Sequence, residues 1–319
     1  MKLDFVKKLI GDRYASLEDS IRKELFSEEC SSIGNLNEYV ISNLGKKVRP
    51  VVTLLAALAC DKEINEEANI CSLVSEIMHN ATLLHDDVID QSDMRRGAVT
   101  INKLKSPGAS ILLGDYWLSR AVMLLIDNKL DSRIISLFAL TIKDLSEGEL
   151  LQMEKAELLN ATIDDYYSII FKKTGQLFRA SIMSSAISVG ATEEYIAALE
   201  QYAIQIGYAF QIKDDILDYS NSASVGKGRY CDIEERKITL PMFMVFKDAE
   251  LKAKVLDLLD SAQVEEIAAI IVDNGGIEAS EIVLDKHINM AIDALEILPQ
   301  TEAKNLLKEL ALYIGRRDS

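Results

Sequence analysis

Six aspartates in two short clusters are the residues best placed to do chemistry in this chain. His85-Asp86-Asp87-Val88-Ile89-Asp90 returns 128 residues later as Lys213-Asp214-Asp215-Ile216-Leu217-Asp218. At about 100° per residue on a helix, Asp86 and Asp90 lie one turn apart on one face, with Asp87 about 100° to the side. Asp214, Asp218 and Asp215 repeat that geometry. Three carboxylates in five residues repel one another, and aspartate is a middling to poor helix former, so the arrangement costs stability unless cations fill it. Oxygen-only donors point to Mg²⁺ rather than zinc or copper. A solvated acidic surface is the ordinary alternative, but each cluster follows an apolar stretch, residues 81–84 and 208–212, which places the carboxylates at a cavity rim.

Mg²⁺ is commonly held by one or two carboxylates together with substrate phosphates, so phosphate-binding cations belong nearby. Lys46, Lys47 and Arg49 occupy a turn between Gly45 and Pro50, and Arg95-Arg96-Gly97 follows the first cluster. Lys172-Lys173-Thr174 precedes the second cluster, and Lys227 and Lys237 follow it. In a chain of net charge −16 such gatherings suggest anionic ligands held by metal and by direct contacts. The same negative balance argues against a nucleic-acid binder.

The elements carrying these residues read as helices. Leu73, Ile77, Ala81, Leu84 and Val88 recur at helical spacing and mark one long amphipathic helix that ends in the first cluster. Similar patterns run over residues 132–159, 195–219, 238–246, 255–271 and 279–298, and convincing period-2 runs are absent. With 15 glycines and 4 prolines the chain is poor in turn formers, which nearly rules out sandwiches and barrels. The expectation is an all-α fold, one domain over residues 1–319, built from about ten to thirteen helices around a central cavity. Breaks fall at residues 45–50, 95–108, Gly190, 221–229 and Asn274-Gly275-Gly276, and none is long enough for a domain linker. Cys30, Cys60, Cys71 and Cys231 are too scattered for a zinc site or a disulfide framework. The N-terminal stretch has no signal-peptide core, and the longest apolar run, Val51 to Cys60, reaches only half of the ~20 residues that span a bilayer. A cytoplasmic protein without a transmembrane segment is expected.

The ordered motifs resemble the trans-prenyl diphosphate synthases, or polyprenyl synthetases, from about Gly45 to the C-terminus. They are Gly45-Lys46-Lys47-Val48-Arg49-Pro50, His79 six residues before His85, the two Asp clusters, Arg95-Arg96-Gly97, Gly114-Asp115, Glu147-Gly148-Glu149, Lys173-Thr174-Gly175, Phe210-Gln211, and Lys237-Ile238-Thr239-Leu240-Pro241. Leu44 stands where the family often has a second glycine, and residues 226–232 depart from the usual linker, so Arg229 and Tyr230 inherit no role. The resemblance implies an isoprenoid synthase fold, a homodimer, and head-to-tail addition of isopentenyl diphosphate to an allylic diphosphate such as geranyl, farnesyl or geranylgeranyl diphosphate.

By the same resemblance Asp86, Asp87, Asp90, Asp214, Asp215 and Asp218 hold Mg²⁺, about three ions in the substrate complex, bridging the allylic diphosphate. Arg95, Lys173 and Lys227 contact that diphosphate, with Lys237 assisting, while Thr174 and Gln211 flank the developing cation by their dipoles. Lys46, Arg49, His79 and Arg96 match positions that bind isopentenyl diphosphate without metal, and in the family pyrophosphate itself takes the proton. A terpene cyclase would not need that second set. A non-catalytic partner subunit usually loses one or both clusters. A ferritin-like di-iron site needs Glu-x-x-His pairs, which the three histidines, His79, His85 and His287, are not expected to form. Residues before Asp86 should line an elongation tunnel: Thr82, Ala81 and Met78 lie about 6, 7.5 and 12 Å from it along the helix. Short-chain family members place an aromatic ring where Ala81 stands, so an open tunnel, a floor at Phe138 and a product near eight isoprene units are expected. A shorter-chain synthase is the alternative.

Overall fold

The computed structural model describes residues 9–220 and 229–317; Lys227 and the first eight residues, about which the sequence made expectations, lie outside them. The described residues form α1 (Asp12–Glu24), α2 (Ser31–Ile41), α3 (Val48–Ala59), α4 (Glu66–Ile89), a hairpin of β1 (Met94–Arg95) and β2 (Ala98–Val99), α5 (Ile101–Leu104), α6 (Pro107–Asp127) and α7 (Ser132–Leu158). Then follow α8 (Ile163–Ile170), a π-helical turn (Phe171–Gly175), α9 (Gln176–Ser188), α10 (Glu193–Leu217), α11 (Cys231–Glu234) and α12 (Leu240–Val245). The chain closes with α13 (Ala249–Asp260), α14 (Val264–Asp273), α15 (Gly276–Ala294), a 3₁₀ turn (Leu295–Ile297) and α16 (Glu302–Arg316). The fold is all-α, as expected. It has more helical segments than ten to thirteen because short ones such as α5, α11 and α12 punctuate the connections. The pattern over residues 255–271 spans two helices, split where Ala262 takes φ +53°.

Contacts group into two compact units, Met1–Ala139 with Ala180–Glu200 and Ile297–Leu307, and Leu140–Arg179 with Gln201–Glu296 and Lys308–Ser319. In the first, α3 is apolar and buried through most of its length and packs on α4. Asn65 caps α4 by accepting the Ala68 N–H at 2.8 Å. On α6, Trp117 is fully buried and donates to Asn37 Oδ1 at 2.7 Å, while Asn37 donates to the Leu25 carbonyl, tying α6 to α2 and the end of α1. Helix α6 is longer than the Val51 to Cys60 run, and by length and composition alone it could cross a bilayer, a property that buried core helices share. Its inner side, with Leu113, Gly114, Trp117, Ala121 and Leu124, is part of the core, and its outer side exposes Ile111, Leu112, Met123 and Ile126.

The second unit has its own core, in which Tyr219, Ile233, Ile238, Met242, Val255 and Ile267 pack together. Helix α8 opens with a capping box, Thr162 accepting from the Asp165 N–H while Asp165 accepts from the Thr162 N–H. It then widens into the π turn, a distortion that is frequent at functional sites. The turn meets α10 backbone to backbone: a Cβ on Gly207 would come within 2.4 Å of the Gly175 Cα. Two residues without side chains therefore fix where Thr174 sits along α10.

Gly207→Ala should cost about 1–3 kcal/mol, because only main chain can yield there. Gly34→Ala, on the exposed side of α2 with no atom within 4 Å of a new Cβ, should instead stabilise by about 0.5–1 kcal/mol. Urea unfolding of both variants checks the pair, and equal midpoints would show that the close crossing carries no constraint.

Candidate active site

Asp86 and Asp87 are consecutive on α4, so they cannot face the same way. Asp86 and Asp90 are half-exposed, whereas Asp87 is buried and accepts from Arg95 Nε at 2.5 Å. Arg95 reaches it from the first strand of a hairpin closed by a two-residue turn. Met94 pairs with Val99 and Arg95 with Ala98, leaving Arg96 (φ +52°) and Gly97 (φ +80°) as a type I′ turn. Arg96, at the turn itself, lies within electrostatic range of Asp87. Its guanidinium lies against Gly45, where any Cβ would meet it at 2.6 Å, and approaches His79 Nε2 at 3.4 Å.

Arg49, His79 and Arg96, expected to serve the second diphosphate, thus come together. Lys46 is exposed at the edge, and Lys47 is paired with Glu18 over the Tyr14 ring. His79 is held well below the usual histidine pKa, first by burial and then by Arg49, Arg96 and Arg95. Both causes favour the neutral hydrogen-bonding ring over the cation. The sequence reading overlooked Glu76, three residues before His79, which forms one Glu-x-x-His pair. Glu76 is fully buried, accepts from Asn80 Nδ2 at 3.0 Å, and has its pKa raised by burial. Behind Asp86, His85 lies over Gly114, with Nε2 3.2 Å from the Ile111 carbonyl and 3.3 Å from Asp115 Oδ1. A Cβ on Gly114 would collide with that ring at 2.4 Å, which explains the Gly114-Asp115 pair.

In the second unit the three aspartates again divide. Asp214 keeps a side chain 42 % exposed and pairs with Arg317 Nη2 at 2.5 Å. That guanidinium also stacks 3.9 Å over the Phe210 ring. Arg317 is a site residue that no motif flagged. Asp215 is buried, accepts from Tyr166 at 2.6 Å and from Gln211 at 3.1 Å, and is pushed up to about 8 by burial, with Asp232 adding to the rise. Asp218 accepts the backbone N–H groups of Cys231 and Asp232 at 3.0 and 3.2 Å, pinning the start of α11. Sequence treats all six aspartates alike; structure turns Asp87 and Asp215 inward and leaves Asp86, Asp90 and Asp214 within reach of solvent.

Lys172, Lys173 and Lys237 are each held by an acid. Gly148 lets the π turn come close, a Cβ there meeting Lys172 Cβ at 2.8 Å. Its neighbours Glu147 and Glu149 then pair with Lys172 and Lys173, and Lys173 also donates to Gln152 at 3.1 Å. Thr174 donates to Gln211 at 2.8 Å, and Lys237 pairs with Glu235. Among the chain-length candidates Met78, Ala81 and Phe138 are fully buried, and the half-buried Thr82 donates to the His79 carbonyl at 2.8 Å.

Among the described residues no three His, Cys, Asp or Glu side chains converge as a metal cage. The chemistry of the exposed donors fits Mg²⁺ nonetheless. They are hard carboxylate oxygens, spaced one turn apart at Asp86 and Asp90, and Mg²⁺ commonly completes its octahedron with water and phosphate oxygens.

Comparisons with known proteins bear on what this arrangement does. Residues 31–273 match the protein-family profile described as polyprenyl synthetase. The octaprenyl diphosphate synthase of Haemophilus influenzae is 33 % identical over 319 residues, covering 98 % of this chain and 96 % of that one. The crystal structure of a decaprenyl diphosphate synthase from Rhodobacter capsulatus superposes with a TM-score of 0.91 at 32 % identity, covering 99 % of both chains. A polyprenyl synthase from Caulobacter crescentus, solved with calcium and isoprenyl diphosphate, gives a TM-score of 0.89 at 29 % identity, covering 100 % of this chain and 98 % of that one.

The depressed pKa of His79 sets a test. A base whose folded pKa lies below its unfolded value stays neutral above about pH 6.5, and the stability this contributes is lost on acidification through the folded value. If the ring acts as a neutral donor, His79→Gln should leave the KM for isopentenyl diphosphate within about threefold from pH 6.5 to 8. Arg96→Ala removes a charged donor and should raise that KM about tenfold or more. A His79→Gln variant as impaired as Arg96→Ala would mean that the ring binds as a cation.

Proposed function

The chain belongs to the polyprenyl synthetase family and is a prenyltransferase of the trans-prenyl diphosphate synthase kind, and from that premise we propose that it condenses isopentenyl diphosphate head-to-tail with an allylic diphosphate. The observation that carries this reading is one chain holding two kinds of anion machinery. Helix ends with outward carboxylates suit a metal-bridged diphosphate, and the cluster of Arg49, Arg96 and neutral His79 suits a diphosphate bound without metal. Bound Mg²⁺ would neutralise charge on the departing diphosphate, held by Asp86, Asp90 and Asp214 with Asp218 in support.

The remaining roles fall to the chain's own side chains. Lys173 and Arg95 would exchange their acid partners for oxygens of the allylic diphosphate, joined by Lys227, with Lys237 assisting. Rupture of the allylic C–O bond leaves a carbocation, which the dipoles of Thr174 and Gln211 would face. Lys46, Arg49, His79 and Arg96 would hold isopentenyl diphosphate with its double bond toward that carbon. After the new C–C bond forms, a proton leaves to the released pyrophosphate.

Product length is the finer part of the proposal. Ala81 offers no ring to stop chain growth one turn above Asp86, which supports a product near eight isoprene units. The enzyme would act in the cytoplasm as a homodimer through the exposed apolar side of α6, whose Ile111, Leu112, Met123 and Ile126 are costly to leave in water.

Labelled isopentenyl diphosphate with geranyl, farnesyl and geranylgeranyl diphosphates tests the activity directly. Asp86→Ala should lose on the order of a thousandfold in rate while remaining folded, since one carboxylate of a metal clamp is worth several kcal/mol in the transition state. Wild-type turnover in that variant would sink the assignment. Ala81→Phe should shorten the product to about three or four units without abolishing transfer, because the ring obstructs the chain and leaves the carboxylates in place; an unchanged product would place the chain elsewhere. Light scattering at micromolar concentration should give twice the chain mass of 35.5 kDa, and Leu112→Asp should halve it. A monomeric wild-type protein would contradict the α6 interface.

A further inference from the structure

Four side chains of the second unit form one continuous hydrogen-bond chain. Tyr166 on α8 donates its hydroxyl to Asp215 Oδ2 at 2.6 Å. Gln211, one turn before Asp215 on α10, donates its amide to Asp215 Oδ1 at 3.1 Å. The Gln211 carbonyl oxygen accepts the Thr174 hydroxyl at 2.8 Å. Tyr166, Asp215 and Thr174 are all buried, so water competes little for these bonds.

A side-chain amide donates at one end and accepts at the other, so its orientation is decided by what faces it. Asp215 Oδ1 accepts whether the carboxyl carries no proton or carries it on the Oδ2 side, toward Tyr166. Facing an acceptor, Gln211 turns its NH₂ to Asp215 and its oxygen to Thr174. Thr174 owns a single hydroxyl proton, and that proton is committed to Gln211. What its oxygen has left to present are lone pairs. Negative ends of fixed dipoles are what a developing carbocation requires, and they act without reorganising if they are locked beforehand.

We propose that Tyr166 and Asp215 are positioning residues that fix the donor–acceptor polarity of Gln211 and Thr174, so that Thr174 offers lone pairs rather than a proton to the reacting allylic group. The inference rests on the proposed prenyl transfer. It separates Asp215 from Asp214: the first orients a dipole chain from inside the protein, and the second faces solvent. Tyr166 lies seven residues before Lys173, on the same continuous helical segment that carries Thr174, so the two ends of the chain are rigidly linked.

Three variants test this, each compared with the wild-type enzyme for kcat, for the KM of the allylic substrate and for the Mg²⁺ concentration giving half-maximal rate. Asp215→Leu removes the acceptor that orients Gln211, and kcat should fall about a hundredfold while the KM and the Mg²⁺ requirement stay within about twofold. Tyr166→Phe deletes the donor that holds the carboxyl and should lower kcat about tenfold with the same constancy. Asp215→Asn can turn its oxygen to Gln211 and its NH₂ to the Tyr166 oxygen, preserving the polarity, so kcat should fall only about fivefold. Thermal unfolding checks that each variant folds, and Tyr166→Phe with Asp215→Asn decides the matter even if Asp215→Leu does not. A tenfold rise in the Mg²⁺ requirement of Asp215→Asn would make Asp215 a metal ligand and overturn the proposal. So would Asp215→Asn falling as far as Asp215→Leu, or Tyr166→Phe turning over like wild type. Absence of prenyl transfer in the wild-type protein would refute the proposed function instead, a distinguishable result.

Discussion

Two aspartates placed next to each other on an α-helix point about 100° apart, and in both clusters one reaches solvent while its neighbour is turned inward. That constraint acts twice in this chain, at Asp86-Asp87 and at Asp214-Asp215. A carboxylate taken out of water costs several kcal/mol unless partners replace its hydration. Much of the surrounding structure supplies those partners. The type I′ hairpin exists where Arg95 must return to Asp87, and it holds a non-glycine residue, Arg96, in the left-handed region at a cost of about 1–2 kcal/mol. In the second unit α8 delivers the Tyr166 hydroxyl and α10 itself provides Gln211.

Close backbone approach is the second organising feature. Gly148 and the Gly175–Gly207 crossing bring the π turn against its neighbours, and Gly114 admits the His85 ring. Each absent side chain is converted into a polar arrangement: Glu147 and Glu149 against Lys172 and Lys173, Thr174 against Gln211, His85 beside Asp115. Lys172, Lys173 and Lys237 are accordingly oriented by acids. Exchanging one anionic partner for another costs less than stripping water from a free ammonium group, so such pairs suit the proposed phosphate contacts. Arg317 against Asp214 has the same character with the signs reversed, a guanidinium standing at an outward carboxylate.

The first unit solves a different problem. Several cations gathered in one place repel one another and depress the affinity of a neighbouring histidine for its proton. Burial pushes the pKa of Glu76 up while Asn80 and the nearby Arg49, Arg96 and Lys47 pull it back, and burial with the same arginines holds His79 below its usual range. Charge in the cluster thus comes from arginines, which stay ionised under any such pressure.

The sequence by itself determined the all-α class, the long helix carrying the first cluster, the identity of the acidic and basic motifs, and the family. These rest on helical periodicity and residue type, which are local properties of the chain. It could not tell Asp86 from Asp87 or Asp214 from Asp215, because one-letter identity carries no direction until neighbouring helices decide which face is inside. The hairpin of four paired residues was illegible, since two-residue strands are too short to show a period of two. The break between α13 and α14 was hidden for a related reason, the apolar pattern continuing across a turn made by Ala262 rather than by glycine or proline. Only the tertiary structure brought in Tyr166, Arg317 and Glu76, and only it lowered the proton affinity of His79. Burial and the placing of residues distant in the chain against one another set hydrogen-bond partners and proton affinities, and neither is written in any local stretch of sequence.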